Sequence, residues 1–278
     1  MLPISHPPPG RATRSEFLLN DVGDIRRPEN DAQPGGGCAA PRSTTRNDAR
    51  VKRIERLGEA VAPDGTVLML TRHDGAYAIH VGGQELMSTR RHHSEDVLAE
   101  LVCAPLRERQ GARVLIGGLG LGFTLRAALR LLPADAEVVV AEIVEEVIRW
   151  NRNPEYALSA DALADPRVDL RHADVADVLQ ASPGAFDAIM LDVDNGAAAM
   201  TTKGNAALYR AQGIRRAAAA LRPGGRLAYW SASEDPAFEK ALRGAGLAVE
   251  ATRARAHPTR KIWHTIFVAT RGGAAAPG

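Results

Sequence analysis

The period of apolar positions changes along the chain and marks its parts. Between about residues 60 and 92 the apolar runs are short: 66–71, 76–80 and 85–88, separated by His73-Asp74-Gly75 and Gly82-Gly83. Short runs punctuated by turn dipeptides predict a small antiparallel meander. Ser94 then reads as a helix N-cap with Glu95 and Asp96 in the first turn, and Val97, Leu98, Leu101 and Val102 form one helical face. From Arg113 onward strands alternate with helices. Strands are expected at 114–116, 138–141, 168–171, 186–191 and 226–230, with helices at 123–132, 144–152, 175–179 and 208–221. Val114-Leu115-Ile116 is an uninterrupted apolar run, as a strand buried on both faces requires. Asp235-Pro236 opens one more helix, which Gly244 ends.

The last two strands, 247–254 and 265–270, have no helix between them. They read as an antiparallel hairpin at the sheet edge, an ending that an ordinary dinucleotide-binding domain does not predict. The expected fold is therefore α/β: a doubly wound, Rossmann-like sheet of seven strands in the order 3-2-1-4-5-7-6, with strand 7 antiparallel. The small N-terminal β-meander precedes it. The expected boundaries are a disordered tail over 1–55, the meander over 60–92, the nucleoside-binding domain over 93–271 and a second tail over 272–278.

Composition adds less. The first 50 residues hold seven Pro and five Gly, and their seven Arg nearly balance six acids. Phe17-Leu18-Leu19 is their only apolar cluster, too little to offset the entropy of ordering. No apolar segment follows Met1 as a secretory signal would require, and no stretch approaches the roughly 20 apolar residues of a membrane helix. Two cysteines make no disulfide framework, so a reduced, cytoplasmic setting is expected. A net charge of +2 gives no reason to expect nucleic acid as a partner.

The candidate chemistry lies at the carboxyl ends of the strands, where open α/β sheets bind ligands. The first sheet strand runs into Gly117-Gly118-Leu119-Gly120-Leu121-Gly122 and then a helix. Gly118, Gly120 and Gly122 form a G-x-G-x-G turn that lets a ligand approach the backbone. Glu142 follows at the end of the next strand, 24 residues beyond Gly118, where a carboxylate accepts ribose hydroxyls. The Gly-Lys-Ser/Thr of a triphosphate-binding loop is absent. Asp174 reads both as a helix cap and as an acceptor for the exocyclic amine of adenine, with Val175 beside the ring. The fourth strand ends in Asp192-Val193-Asp194-Asn195. Asp192, and after it Asp194, are the candidate catalytic groups, able to hold a cationic amine or take its proton. No His/Cys/carboxylate spacing supports a metal site. His92-His93 and the basic residues Arg253, Arg255, Arg260 and Lys261 read as solvated turns. Tyr209, Tyr229 and Trp230 are candidate pocket walls, with a place in the core as the alternative for Trp230.

Over about residues 64–271 these features resemble the spermidine synthase-like branch of the class I S-adenosylmethionine-dependent methyltransferase superfamily. The resemblance rests on 114–118 with the glycines after it, on Ala141-Glu142-Ile143, on Asp165-Pro166-Arg167-Val168 with Asp174, and on 186–192. It implies an adenosyl sulfonium cofactor held by Gly118, Gly120, Gly122, Glu142, Asp174 and Val175, with Asp192 as the catalytic acid. The sequence also departs from the family. Spermidine synthases carry an Asp in the glycine loop that holds the aminopropyl amine, where this chain has Gly120. Their Asp-Ser-Ser-Asp run is Asp192-Val193-Asp194-Asn195 here, and the acid after the ribose-binding Glu is Val144. Lost acids weaken a polycation pocket, and glycine leaves room for a methionine carboxylate. Methyl transfer from S-adenosylmethionine to a small, amine-containing acceptor therefore ranks first. Aminopropyl transfer from decarboxylated S-adenosylmethionine is the alternative, and a ligand-binding pseudoenzyme the third. The expected partner is a small-molecule acceptor, without nucleic acid or membrane; a homodimer is compatible with this reading.

Overall fold

The computed structural model describes residues 53–193, 206–257 and 261–273. Four antiparallel strands come first, paired in chain order: β1 (Glu55–Val61), β2 (Val67–His73), β3 (Ala76–Val81) and β4 (Gln84–Ser88). Asp74 and Gly75 both have positive φ, as do Gly82 and Gly83. Those are the conformations of two-residue hairpin turns that follow the strand twist. The meander thus has four strands rather than three and starts at Glu55, ahead of the expected residue 60. β1 escapes the pattern because a bulge between Arg56 and Gly58 breaks its alternation and much of it is exposed. At Gly58 the strand backbone lies against the Trp150 indole, where a Cβ would stand only 2.6 Å from Nε1.

The rest alternates as expected: α1 (His93–Cys103), β5 (Arg113–Gly117), α2 (Phe123–Leu131), β6 (Glu137–Glu142), α3 (Glu145–Arg152), α4 (Ala160–Leu163), β7 (Val168–His172), α5 (Val175–Ala181) and β8 (Phe186–Leu191). Then come α6 (Ala206–Tyr209), α7 (Ala211–Ala220), β9 (Leu221–Ser231), α8 (Pro236–Gly244), β10 (Leu247–Arg255) and β11 (Trp263–Arg271). The large sheet runs β7-β6-β5-β8-β9-β11-β10, and β11 is antiparallel to both neighbours. This is the order read from the sequence, 3-2-1-4-5-7-6. Alternate residues of each strand enter opposite cores. Val114, Ile116, Val138, Val140 and Met190 pack with α1, α2 and the meander. Leu115, Val139, Ile189 and Leu191 pack with α5, α7 and α8.

Three local expectations are corrected. Ser94 is not a cap: α1 starts one residue earlier and the Ser94 hydroxyl is used elsewhere. The helix expected over 208–221 is two helices, parted at Arg210. Pro223-Gly224-Gly225 lies within β9, which already begins at Leu221 and shifts register against β8 there. Among the described residues no helix is long and apolar enough to cross a membrane.

Candidate active site

A cavity of about 360 Å³ opens at the carboxyl ends of β5, β6 and β8. Its floor is Gly118, Gly120, Glu142, Asp174, Val175 and Asp192, and the meander supplies much of its apolar wall through Leu68, Ile79, Val81, Leu86 and Met87. Five of the six residues expected to hold the cofactor, all but Gly122, therefore meet on one cavity with Asp192.

The glycine loop is held by the protein itself. Gly118, Gly120 and Gly122 have φ of 86°, 53° and 80°, in the region that favours glycine. The Gly118 amide donates to the Ala141 carbonyl at 2.9 Å, and a Cβ at 118 would stand 2.5 Å from the backbone oxygen of Asp192. Asn151 Nδ2 donates to the Gly120 carbonyl at 2.8 Å. Gly122 does not line the cavity: it caps α2 and lies against Ser159. Beside Gly120 the space is filled by Met87, whose Cε and Sδ lie 2.7 and 2.8 Å from where a Cβ would be. The room for a methionine carboxylate expected there is thus occupied by a thioether side chain.

Glu142, the last residue of β6, is buried. Its two oxygens accept the Leu119 and Val144 amides, each at 2.8 Å. Burial nevertheless pushes its carboxyl above the ordinary range. Each oxygen keeps acceptor capacity for a ligand hydroxyl, which fits the ribose of an adenosyl group. Asp174 caps α5, accepting the Ala176 amide at 2.8 Å, and also lines the cavity, so its two expected roles are compatible. Val175 is buried beside it.

Asp192 follows β8 directly. Its amide donates to the Gly117 carbonyl at 3.0 Å, and its Oδ2 accepts the Thr124 hydroxyl at 2.8 Å. It is partly exposed into the cavity but enclosed by the walls. That desolvation raises its carboxyl to about 6, against the opposing Thr124 hydrogen bond. Asp194 lies outside the described residues.

Sequence reasoning missed several contributors. Glu95, read only as a first-turn acid, is 8% exposed and lines the cavity. Burial first, then the charge of Asp192, raise it to about 8. The Ser94 hydroxyl donates to it at 2.5 Å and lies 2.9 Å from His264 Nδ1. Thr124, Met87 and Asp64 were also missed, since nothing in their local sequence marks them. Trp230 does wall the cavity, edge-on to the His264 ring at 4.5 Å. Tyr209 and Tyr229 instead join Phe238 in the core, with ring centroids 4.9–5.5 Å apart. His92 is no free turn residue: Nδ1 lies 3.0 Å from Asp96 Oδ2 and the ring stacks on Phe123. Arg253 and Arg255 flank the exposed Trp263 ring at 5.1 and 5.0 Å.

No protein-family model and no curated protein sequence matches the chain. Solved structures do match. Spermidine synthase from Thermotoga maritima aligns with a TM-score of 0.61 at 17% identity, over 79% of this chain and 74% of that one. A spermidine synthase in complex with the transition-state analogue AdoDATO gives 0.61 and 17%, over 79% and 73%. A probable spermidine synthase from Corynebacterium glutamicum gives 0.52 and 16%, over 77% and 79%. At these identities the likeness establishes the fold alone: the chain shares the Rossmann-like fold of these spermidine synthases.

Proposed function

We propose that the chain is an aminopropyltransferase, moving the aminopropyl group of decarboxylated S-adenosylmethionine to a small amine. The observation that carries this reading is the charge of the cavity. Asp64, Glu95, Glu142, Asp174 and Asp192 line it, and no Lys, Arg or His does among the described residues. A sulfonium with a free amine is cationic throughout its tail and suits such walls. The intact methionine tail adds a carboxylate that would enter an acidic, partly desolvated space without a cation to meet it. Met87 Cε and Sδ stand where a side chain at 120 would begin, so the glycine there does not by itself leave open space for a methionine carboxylate. The likeness to spermidine synthases, one of them bound to a transition-state analogue, supports the same choice.

In this reading Glu142 and Asp174 hold the ribose and adenine, and the glycine loop lets the sulfonium approach β5. The sulfonium is already activated, so the protein has to place a neutral amine in line with the S–C bond. Asp192 takes the amine's proton. Calorimetry with decarboxylated S-adenosylmethionine, S-adenosylmethionine and NAD tests the choice. The decarboxylated form should bind at least about tenfold tighter than the intact one, a difference of about 1.4 kcal/mol. Equal or tighter binding of S-adenosylmethionine would restore the methyltransferase reading, and binding of NAD alone would point to an oxidoreductase.

A further inference from the structure

Resting on that reading, we propose that Glu95 is a second acid–base residue of the transfer site, holding a proton jointly with Asp192 and exchanging it with solvent through Ser94 and His264. The two carboxylates come from unconnected elements, the first turn of α1 and the end of β8, and line one cavity. Neither forms an ion pair among the described residues, although most exposed acids of the molecule do. Two enclosed carboxylates facing one cavity cannot both ionise without raising each other's proton affinity. The other charged groups around Glu95 do not neutralise it. Asp96, next to it on α1, is a further acid, already engaged by Arg130 at 2.7 Å and by His92. Arg91 acts on His264 and pairs with Glu85. With burial and Asp192 acting on Glu95 and burial on Asp192, their protons come off near pH 8 and near pH 6, leaving one proton on the pair around neutrality.

The hydrogen bonds behind Glu95 give that proton a route. Ser94 Oγ carries one hydrogen and lies within reach of both Glu95 Oε2 and His264 Nδ1. When Glu95 is ionised, Ser94 donates to it and His264 Nδ1–H donates to Ser94. When Glu95 is protonated, it donates to Ser94 and Ser94 donates to Nδ1. Switching between the two arrangements moves a proton from the cavity to His264, which is partly exposed on β11. Burial and Arg91 hold that imidazole down at about 4, so at neutral pH it passes protons on rather than storing them.

The chemistry balances. An acceptor ammonium gives one proton to the singly charged pair, which becomes neutral. The freed amine lone pair attacks the carbon beside the sulfonium. The C–N bond forms, the C–S bond breaks with its electrons going to sulfur, and the products are a secondary ammonium and a neutral thioether. The pair then returns its extra proton to water by way of Ser94 and His264.

Two measurements on the full chain test this. In the first, decarboxylated S-adenosylmethionine is turned over with 1,3-, 1,4- and 1,5-diaminoalkanes across pH 5–9. The wild-type kcat should rise with pH in two steps, near 6 and near 8, because only ionised carboxylates accept the proton. Glu95→Gln should lower kcat at least about tenfold and abolish the upper step. Wild-type rate and profile in that variant would overturn the proposal. The second needs no activity: carbon-13 carboxyl titration of the protein alone should show a carboxyl titrating near 8. Asp192→Asn should move it downward, because the neighbouring charge is gone. An upper step that is missing, or unmoved in Asp192→Asn, would also overturn the pair. If no diamine is aminopropylated while both titrations behave as stated, the transferase reading fails and the proton-sharing pair stands.

Discussion

Three carboxylates of the site are enclosed, and their partners separate their roles. Glu142 has both oxygens engaged by backbone amides and can only accept further hydrogen bonds from hydroxyls. Glu142→Ala should weaken binding of the adenosyl cosubstrate by about 2–4 kcal/mol, since charge-assisted bonds to ribose are lost; unchanged affinity by calorimetry would remove Glu142 from the site. Asp192 has one hydroxyl partner and faces the cavity. Asp192→Asn should retain the cosubstrate and lower turnover at least about 100-fold, the scale of a general base. Glu95 gives a prediction about stability. Its folded-state carboxyl is raised from 4.5 to about 8, so the native state binds that proton more tightly than the unfolded chain does. Its stabilisation is complete below about pH 4.5 and is lost as pH rises through 8. Glu95→Gln should therefore melt progressively higher than the wild type between pH 5 and 9, by about 2–6 °C at the upper end. A difference that stays constant with pH would contradict the assignment.

At the scale of elements, β8 holds the site in register. Asp187 at its start is buried and held by Arg109 at 2.7 Å, by Arg222 at 2.6 Å and by the Arg113 amide at 2.8 Å. Asp192 just past its other end has no cation among the described residues. One strand thus carries a neutralised structural acid and a chemically available one. Its carboxyl end touches the glycine loop where Gly118 meets the Asp192 carbonyl. Gly118→Ala adds backbone strain and also a collision between two main chains, so it should cost more than about 1 kcal/mol and reduce turnover by displacing Asp192. Gly65 has nearly the same φ, 87° against 86°, but nothing lies within 4 Å of where an alanine methyl would stand. Gly65→Ala should then cost the strain alone and leave turnover intact. Denaturant unfolding with turnover assays separates the two; equal losses would mean that the contact at Gly118 is unimportant.

Across the whole molecule, what could be read from the sequence was what local pattern encodes. The apolar run Val114-Leu115-Ile116 marked a strand buried on both faces, and the helix-free interval before β11 announced the antiparallel edge. Gly118, Glu142, Asp174 and Asp192 were legible because strand ends in this topology fall on one rim. Features created by long-range packing were not. β1 is bulged and largely exposed, so no period marks it. The cavity wall comes from the meander, and only the folded chain brings Met87 onto Gly120. Glu95 is ordinary as a first-turn acid until α1 places it on the cavity of Asp192, 97 residues away in sequence. The glycine at 120 also misled: an absent side chain suggested space, and another residue fills it. The central claim is that a cavity lined by acids, and by no cation among the described residues, serves aminopropyl transfer on this fold. Product mass after incubation with decarboxylated S-adenosylmethionine, or with S-adenosylmethionine, and a panel of small amines tests it most directly. The account predicts an amine that gains an aminopropyl group, only with the decarboxylated cosubstrate; a methyl gain from S-adenosylmethionine, or no gain from either, would contradict it.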